Sequence, residues 1–154
     1  MAHAVAMVNV FRRLLGSKRD GGESLSSSGI VLITARSAPK LGRIRSGRFE
    51  LSLDGEITRE TWLAVPSAFP SLILDVFAVL PGEFRAIVRN ASGADPDTIA
   101  EQAVAWFMEK SREHLRILRG PSITKLWKDC SVRPIRSDDD LQLERMRILM
   151  RARV

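Results

Sequence analysis

A single cysteine, Cys130, stands in the 154 residues, so no disulfide can close within the chain and a reducing compartment is expected. Tyrosine is absent, and aromatic residues make up only 6% of the chain. Most of the Trp and Phe sit on apolar faces, which leaves few rings for stacking the bases of single-stranded RNA. Histidine occurs twice, at His3 and His114, and with one cysteine this gives no cluster of metal-ligand spacing. The patterns GxxxxGK[ST], GxGxxG, HExxH and GxSxG are all missing, which removes the usual signatures of nucleotide, zinc-protease and serine-hydrolase chemistry. No apolar run approaches the roughly 20 residues that span a bilayer. The opening MAHAVAMVNVFRR places its charges after its apolar part, the reverse of a secretory signal, so the expected place is the cytoplasm, the nucleus or the inner face of a membrane. From these absences we expect no catalytic residue, no metal, no cofactor and no small-molecule substrate.

What is present is charge, unevenly placed. The chain carries a net charge of +6. Residues 1–48 hold a net +7, residues 49–109 a net −7 and residues 110–154 a net +6. Basic segments of this kind suit an anionic partner: nucleic acid, acidic lipid or an acidic protein surface. Basic ends around an acidic middle also permit copies to meet head to tail.

The clearest element is residues 95–121, DPDTIAEQAVAWFMEKSREHLRILRGP. Asp95 suits an N-cap, Pro96 the first turn, and Gly120-Pro121 a left-handed stop. Between them Ile99, Ala100, Ala103, Val104, Trp106, Phe107, Met108, Leu115, Ile117 and Leu118 fill one broad apolar face, the mark of a helix laid along a core. His114 borders that face with Lys110 one turn before it, and reads as structural. Residues 4–15 have helical apolar spacing, followed by the cations Arg12, Arg13, Lys18 and Arg19. Residues 16–29 are rich in Gly and Ser and read as a linker.

Further strands are expected at 29–35, 49–53, 56–65, 71–80 and 84–89, with a turn at Asp54-Gly55. Asp75 interrupts the apolar run 71–80 and should face the surface or pair with an arginine such as Arg85. Residues 36–48 hold Arg36, Lys40, Arg43, Arg45 and Arg48 with nothing acidic; Pro39, Gly42 and Gly47 make them a loop or an irregular edge, and a mobile basic loop there suits phosphates or lipid headgroups. Residues 122–140 show no clear period. The terminal segment around Met146, Ile148 and Met150 alternates with Arg147, Arg151 and Arg153, and reads as a strand. The expected fold class is therefore α+β: an antiparallel β-sheet or sandwich core, one long helix over about 96–119 packed on it, and a short N-terminal helix. Residues 1–28 form an arm and linker, and 29–154 a single domain.

The segment FRRLLGSKRDGG, a β-rich body over 47–125 and a long helix ending in RGPS give the chain a layout that resembles the small matrix proteins of non-segmented negative-strand RNA viruses, bornavirus-like in particular. The resemblance implies a compact domain that self-assembles between a membrane and a ribonucleoprotein, in the virion and at the inner face of the host membrane. The budding motifs PPxY and P[ST]AP are missing, VPSAFP and RSAPK only approaching them, so the resemblance does not extend to a direct budding role. On this reading Arg12, Arg13, Lys18, Arg19, Arg36, Lys40, Arg43, Arg45 and Arg48 contact lipid headgroups or nucleic acid, and Arg147, Arg151 and Arg153 extend the basic face. The partners are then other copies of the chain, anionic lipid, and RNA or nucleoprotein. The alternative is a small RNA-binding accessory protein or suppressor of host defence. A plain interaction domain docking through its long helix is a third reading.

Overall fold

The computed structural model of the chain describes residues 29–91, 96–121 and 125–152. The arm expected over 1–28, the N-cap expected at Asp95, and Arg153 lie outside them. The described residues run β1 (Ile30–Ser37), β2 (Gly42–Arg45), β3 (Arg48–Leu51), α1 (Leu53–Leu63), α2 (Val65–Ala68), β4 (Leu72–Val79), β5 (Glu83–Asn90), α3 (Pro96–Arg119), β6 (Trp127–Pro134) and α4 (Asp138–Arg151). Four strands make one antiparallel sheet in the order β4-β5-β1-β6, and β2 with β3 makes a separate hairpin. The fold is α+β with one long helix, as the sequence implies.

The sheet is covered on both faces. Strand alternation sends Val31, Ile33, Ala35, Phe84, Ala86 and Val88 to one side, where α1 and α3 pack. Ile30, Leu32, Ala78, Leu80 and Ile87 go to the other side and meet Leu141 and Ile148 of α4. Each fully buried Val, Leu, Ile or Phe among them contributes about 1.5–3 kcal/mol. The larger core is aromatic: Phe84 and Phe107 lie with ring centroids 5.0 Å apart, and Trp62 stands edge-on to both at 5.1 and 5.4 Å. Trp127 joins from β6, and its indole N–H donates to Ser111 Oγ at 3.0 Å. Helix α3 stops as expected: Gly120 has φ +90° and donates its amide to Arg116 O at 2.8 Å.

Four expectations change. Residues 56–65 belong largely to helix α1, not a strand, and Asp54-Gly55 sits in its first turn behind the N-cap Ser52. The terminal segment is helix α4, capped by Ser137 with Asp138, Asp139 and Asp140 in its first turn, where they complement the helix dipole. The stretch without a period contains β6, an edge strand on β1. The basic segment 36–48, expected as a loop or an irregular edge, is not a mobile loop: it carries the end of β1, then β2 and the turn into β3.

A basic hairpin as the candidate functional site

Much of the charge alternation is neutralised inside the molecule. The acidic middle of the chain meets the basic C-terminal part as ion pairs: Asp54 with Arg119 at 3.2 Å, Asp75 with Arg145, and Glu83 with Arg151. Three of the expected contact residues are engaged in the same way. Arg36 Nε donates to both carboxylate oxygens of Asp129 at 2.9 and 3.0 Å. This pairing holds the Asp129 carboxyl below the usual carboxylate range. Arg147 Nη1 lies 2.8 Å from Glu144, and Arg151 is paired with Glu83. Arg12, Arg13, Lys18, Arg19 and Arg153 lie outside the described residues.

Lys40, Arg43, Arg45 and Arg48 are different. All four are exposed, and among the described residues none has an ion pair or side-chain hydrogen bond. Arg43, Arg45 and Arg48 belong to one hairpin, and Lys40 stands two residues before it. The register pairs Gly42 with Leu51, Arg43 with Glu50, Ile44 with Phe49 and Arg45 with Arg48. Alternation therefore puts Arg43, Arg45, Arg48 and Glu50 on one face, and Ile44, Phe49 and Leu51 on the other.

Two local features of the hairpin tip carry an energetic cost. Arg45 and Arg48 are directly opposed, a like-charge pair that weakens an antiparallel ladder. They flank a two-residue turn in which Ser46 has φ 51° and Gly47 φ 74°, the pattern of a type I′ hairpin turn. Glycine takes that conformation freely, whereas serine pays roughly 1 kcal/mol. The opposite face is apolar yet uncovered at its end, where Ile44 is 55% exposed.

The root, by contrast, is fixed. Leu41 is fully buried, its amide donates to Pro81 O at 2.8 Å, and its carbonyl accepts from Ser52 N at 2.9 Å. Ser52 Oγ donates to Lys40 O at 2.9 Å and also caps α1. A two-stranded ribbon is marginal alone, and these bonds tie it to the body. Lys125 and Lys128, which the sequence reading passed over, begin and follow the segment whose Leu126 carbonyl accepts from Ala38 N at 2.7 Å. Their backbone thus adjoins the strand exit that leads to the hairpin.

The other candidates resolve as structure. His114 Nδ1 lies 3.4 Å from Thr61 Oγ1, linking α3 to α1. Cys130 is half-buried, and burial pushes its thiol up to about 12. Among the described residues no group of His, Cys, Asp and Glu could hold a metal ion, and no helix is long and apolar enough to cross a membrane. No protein-family model matches this chain, and no curated protein does, so its function is argued from the hairpin and the sequence pattern.

Proposed function

We propose that this chain is a structural protein of viral matrix type, which seats the β2–β3 hairpin on an anionic membrane surface, assembles with itself, and bridges that surface to a ribonucleoprotein. One observation carries the reading: Arg43, Arg45 and Arg48 on an anchored hairpin, with Lys40 just before it, have no ion pair or side-chain hydrogen bond among the described residues, and the hairpin's other face ends in exposed Ile44. A basic face backed by an apolar tip is what a headgroup boundary accepts, phosphates outside and a short apolar insertion below.

The magnitudes favour assembly as part of the function. Cations near an acidic leaflet contribute about 1 kcal/mol each. Four of them give about 4 kcal/mol, which corresponds to a Kd of about 1 mM. A single hairpin is a weak contact, and two or more presented together gain about 10²–10⁴ in avidity. RNA phosphates offer the same charge, which is the case for an RNA-binding accessory protein. No described aromatic ring is fully exposed, however, and the hairpin's own ring, Phe49, is half-buried on the face opposite the arginines, which disfavours the base stacking that such readers use.

The test is co-sedimentation of the full chain with phosphatidylserine vesicles and with neutral vesicles, at low and high salt. A single-stranded RNA oligomer is assayed in parallel. Binding to the acidic vesicles alone, lost at high salt and abolished in the triple variant Arg43→Glu, Arg45→Glu, Arg48→Glu, is the expected result. Unchanged binding by that variant removes the hairpin as the contact. Binding to RNA without vesicles transfers the site to the accessory-protein reading.

A further inference from the structure

The tip of the β2–β3 hairpin carries a serine among arginines. Ser46 is exposed, and its hydroxyl makes no hydrogen bond among the described residues. Other serines hold structure together. The hydroxyls of Ser37, Ser52 and Ser111 donate to the carbonyls of Pro39, Lys40 and Phe107, and that of Ser137 accepts from the Asp140 amide. Around Ser46 the sequence reads RIRSGR: Arg43 stands three residues before it, Arg45 one before and Arg48 two after. An enzyme with an acidic substrate groove selects such a charge pattern. The register sets Arg45 against Arg48 on either side of the turn, while Glu50 stands opposite Arg43.

We propose that Ser46 is a phosphorylation site for a protein kinase that selects basic substrates, and that its phosphate switches off the hairpin's contact with an anionic surface. The switch rests on the reading of the hairpin as that contact; the modification itself does not. The kinase brings a nucleoside triphosphate. Ser46 Oγ bonds to the γ-phosphorus, the bond from that phosphorus to the β–γ bridging oxygen breaks, the nucleoside diphosphate leaves, and the hydroxyl proton passes through the kinase's base to water. A kinase takes its substrate segment extended, so the tip must open. Opening costs little here: it separates Arg45 from Arg48 and releases the positive φ of Ser46, while the root stays bonded at Leu41. Once added, the phosphate has an arginine on each side and bridges the like-charge pair. Lys40, Arg43, Arg45 and Arg48 with Glu50 carry a net +3. A phosphoserine brings about −1.5 to −2, which cancels half of that or more. Affinity for an acidic leaflet should then fall about 10- to 30-fold.

The full chain is incubated with magnesium-ATP and the lipid-independent catalytic fragment of protein kinase C, which favours basic residues on both sides of its serine. Tandem mass spectrometry maps the product, and co-sedimentation with phosphatidylserine vesicles is measured before treatment, after it, and after a phosphatase. Ser46→Asn is the control: asparagine has no hydroxyl to modify and suits the positive φ, so the hairpin stays formed. A phosphoryl group on Ser46, the 10- to 30-fold loss of binding estimated above, its recovery after the phosphatase, and unchanged binding by kinase-treated Ser46→Asn are the expected results. Absence of phosphate from Ser46 overturns the inference and leaves the vesicle contact standing. A modified Ser46 with undiminished binding overturns the switch. An equal loss in kinase-treated Ser46→Asn overturns it too, because the effect then comes from another residue. An untreated chain that ignores the vesicles overturns the membrane contact and the switch together, and the mass spectrum still decides whether Ser46 is a kinase site.

Discussion

The Asp75 carboxylate on the outer strand β4 and the Arg145 guanidinium on α4, separated by 70 positions in the chain, form a forked ion pair that fastens the last helix to the sheet. Arg145 Nε donates to both carboxylate oxygens at 3.1 and 3.2 Å, and Nη2 donates to one of them. The Val76 amide donates to the same carboxylate at 2.7 Å, where the register of β4 on β5 shifts between Leu74 and Phe77. The one acidic residue in an apolar run therefore has a partner, and it is Arg145 rather than Arg85.

This pair predicts an acid-sensitive attachment of α4. The hydrogen bonds from Arg145 hold the Asp75 carboxyl below the usual carboxylate range. A group with a depressed folded value contributes stability that is present above its unfolded value and is lost as pH falls through the folded one. Asp75→Asn should cost about 1 kcal/mol at neutral pH, a figure discounted because Arg145 is about a third exposed. The deficit should shrink as pH drops below about 4. Urea midpoints measured for both proteins down the acid range check it, and a pH-independent deficit would rule out the ion pair as its cause.

Asp54 predicts the opposite slope. It is 3% exposed at the start of α1, and burial raises its carboxyl above the usual range, against the pull of Arg119. Arg119 Nη2 stands 3.2 Å from Oδ1, yet that oxygen receives no well-aligned hydrogen bond. Here the folded state binds the proton more tightly, so the wild type gains stability as pH falls from above the raised folded value toward the unfolded one. Asp54→Asn should be as stable as the wild type or more so at neutral pH, and the advantage should fade on acidification. The same urea series reads it. A loss at neutral pH would mean that the charge pair outweighs the desolvation.

Where the sequence was legible, one face did one job. Helix α3 keeps its apolar residues on the core side as far as Leu115, leaves the expected Ile117 and Leu118 exposed in its last turn, and ends on Gly120. Helix α1 was misread because its core face uses threonine: Thr58 and Thr61 are buried beside Ile57 and Trp62. The hydroxyl of Thr58 donates to the Asp54 carbonyl at 2.8 Å, which is how a polar residue becomes core. Helix α4 was misread because it is apolar on two faces, Ile148 inward and Met146 and Met150 outward, which imitates alternation. At the candidate site the cations were legible but their pairing was not. Which arginines are neutralised depends on contacts such as Arg36 with Asp129, 93 positions away, and no local pattern reports that.

Gly55 decides whether the hairpin and α1 can be uncoupled. In a helix, Gly→Ala ordinarily gains about 1 kcal/mol. At position 55 a Cβ would collide with the Leu41 carbonyl oxygen and stand 2.9 Å from its carbon. Backbone cannot rotate away as a flexible side chain can, and forcing atoms into a packed site costs about 1–3 kcal/mol. The clash should win, leaving Gly55→Ala less stable by about 1–2 kcal/mol. The hairpin root should give first, because the Leu41 carbonyl that would move is the acceptor for Ser52 N. Gly82→Ala is the control, since a Cβ there meets nothing within 4 Å. Amide exchange provides the readout: Ser52 should lose protection in Gly55→Ala and keep it in Gly82→Ala. Full protection of Ser52 in Gly55→Ala would mean that α1 shifts instead, with the hairpin staying seated on Leu41.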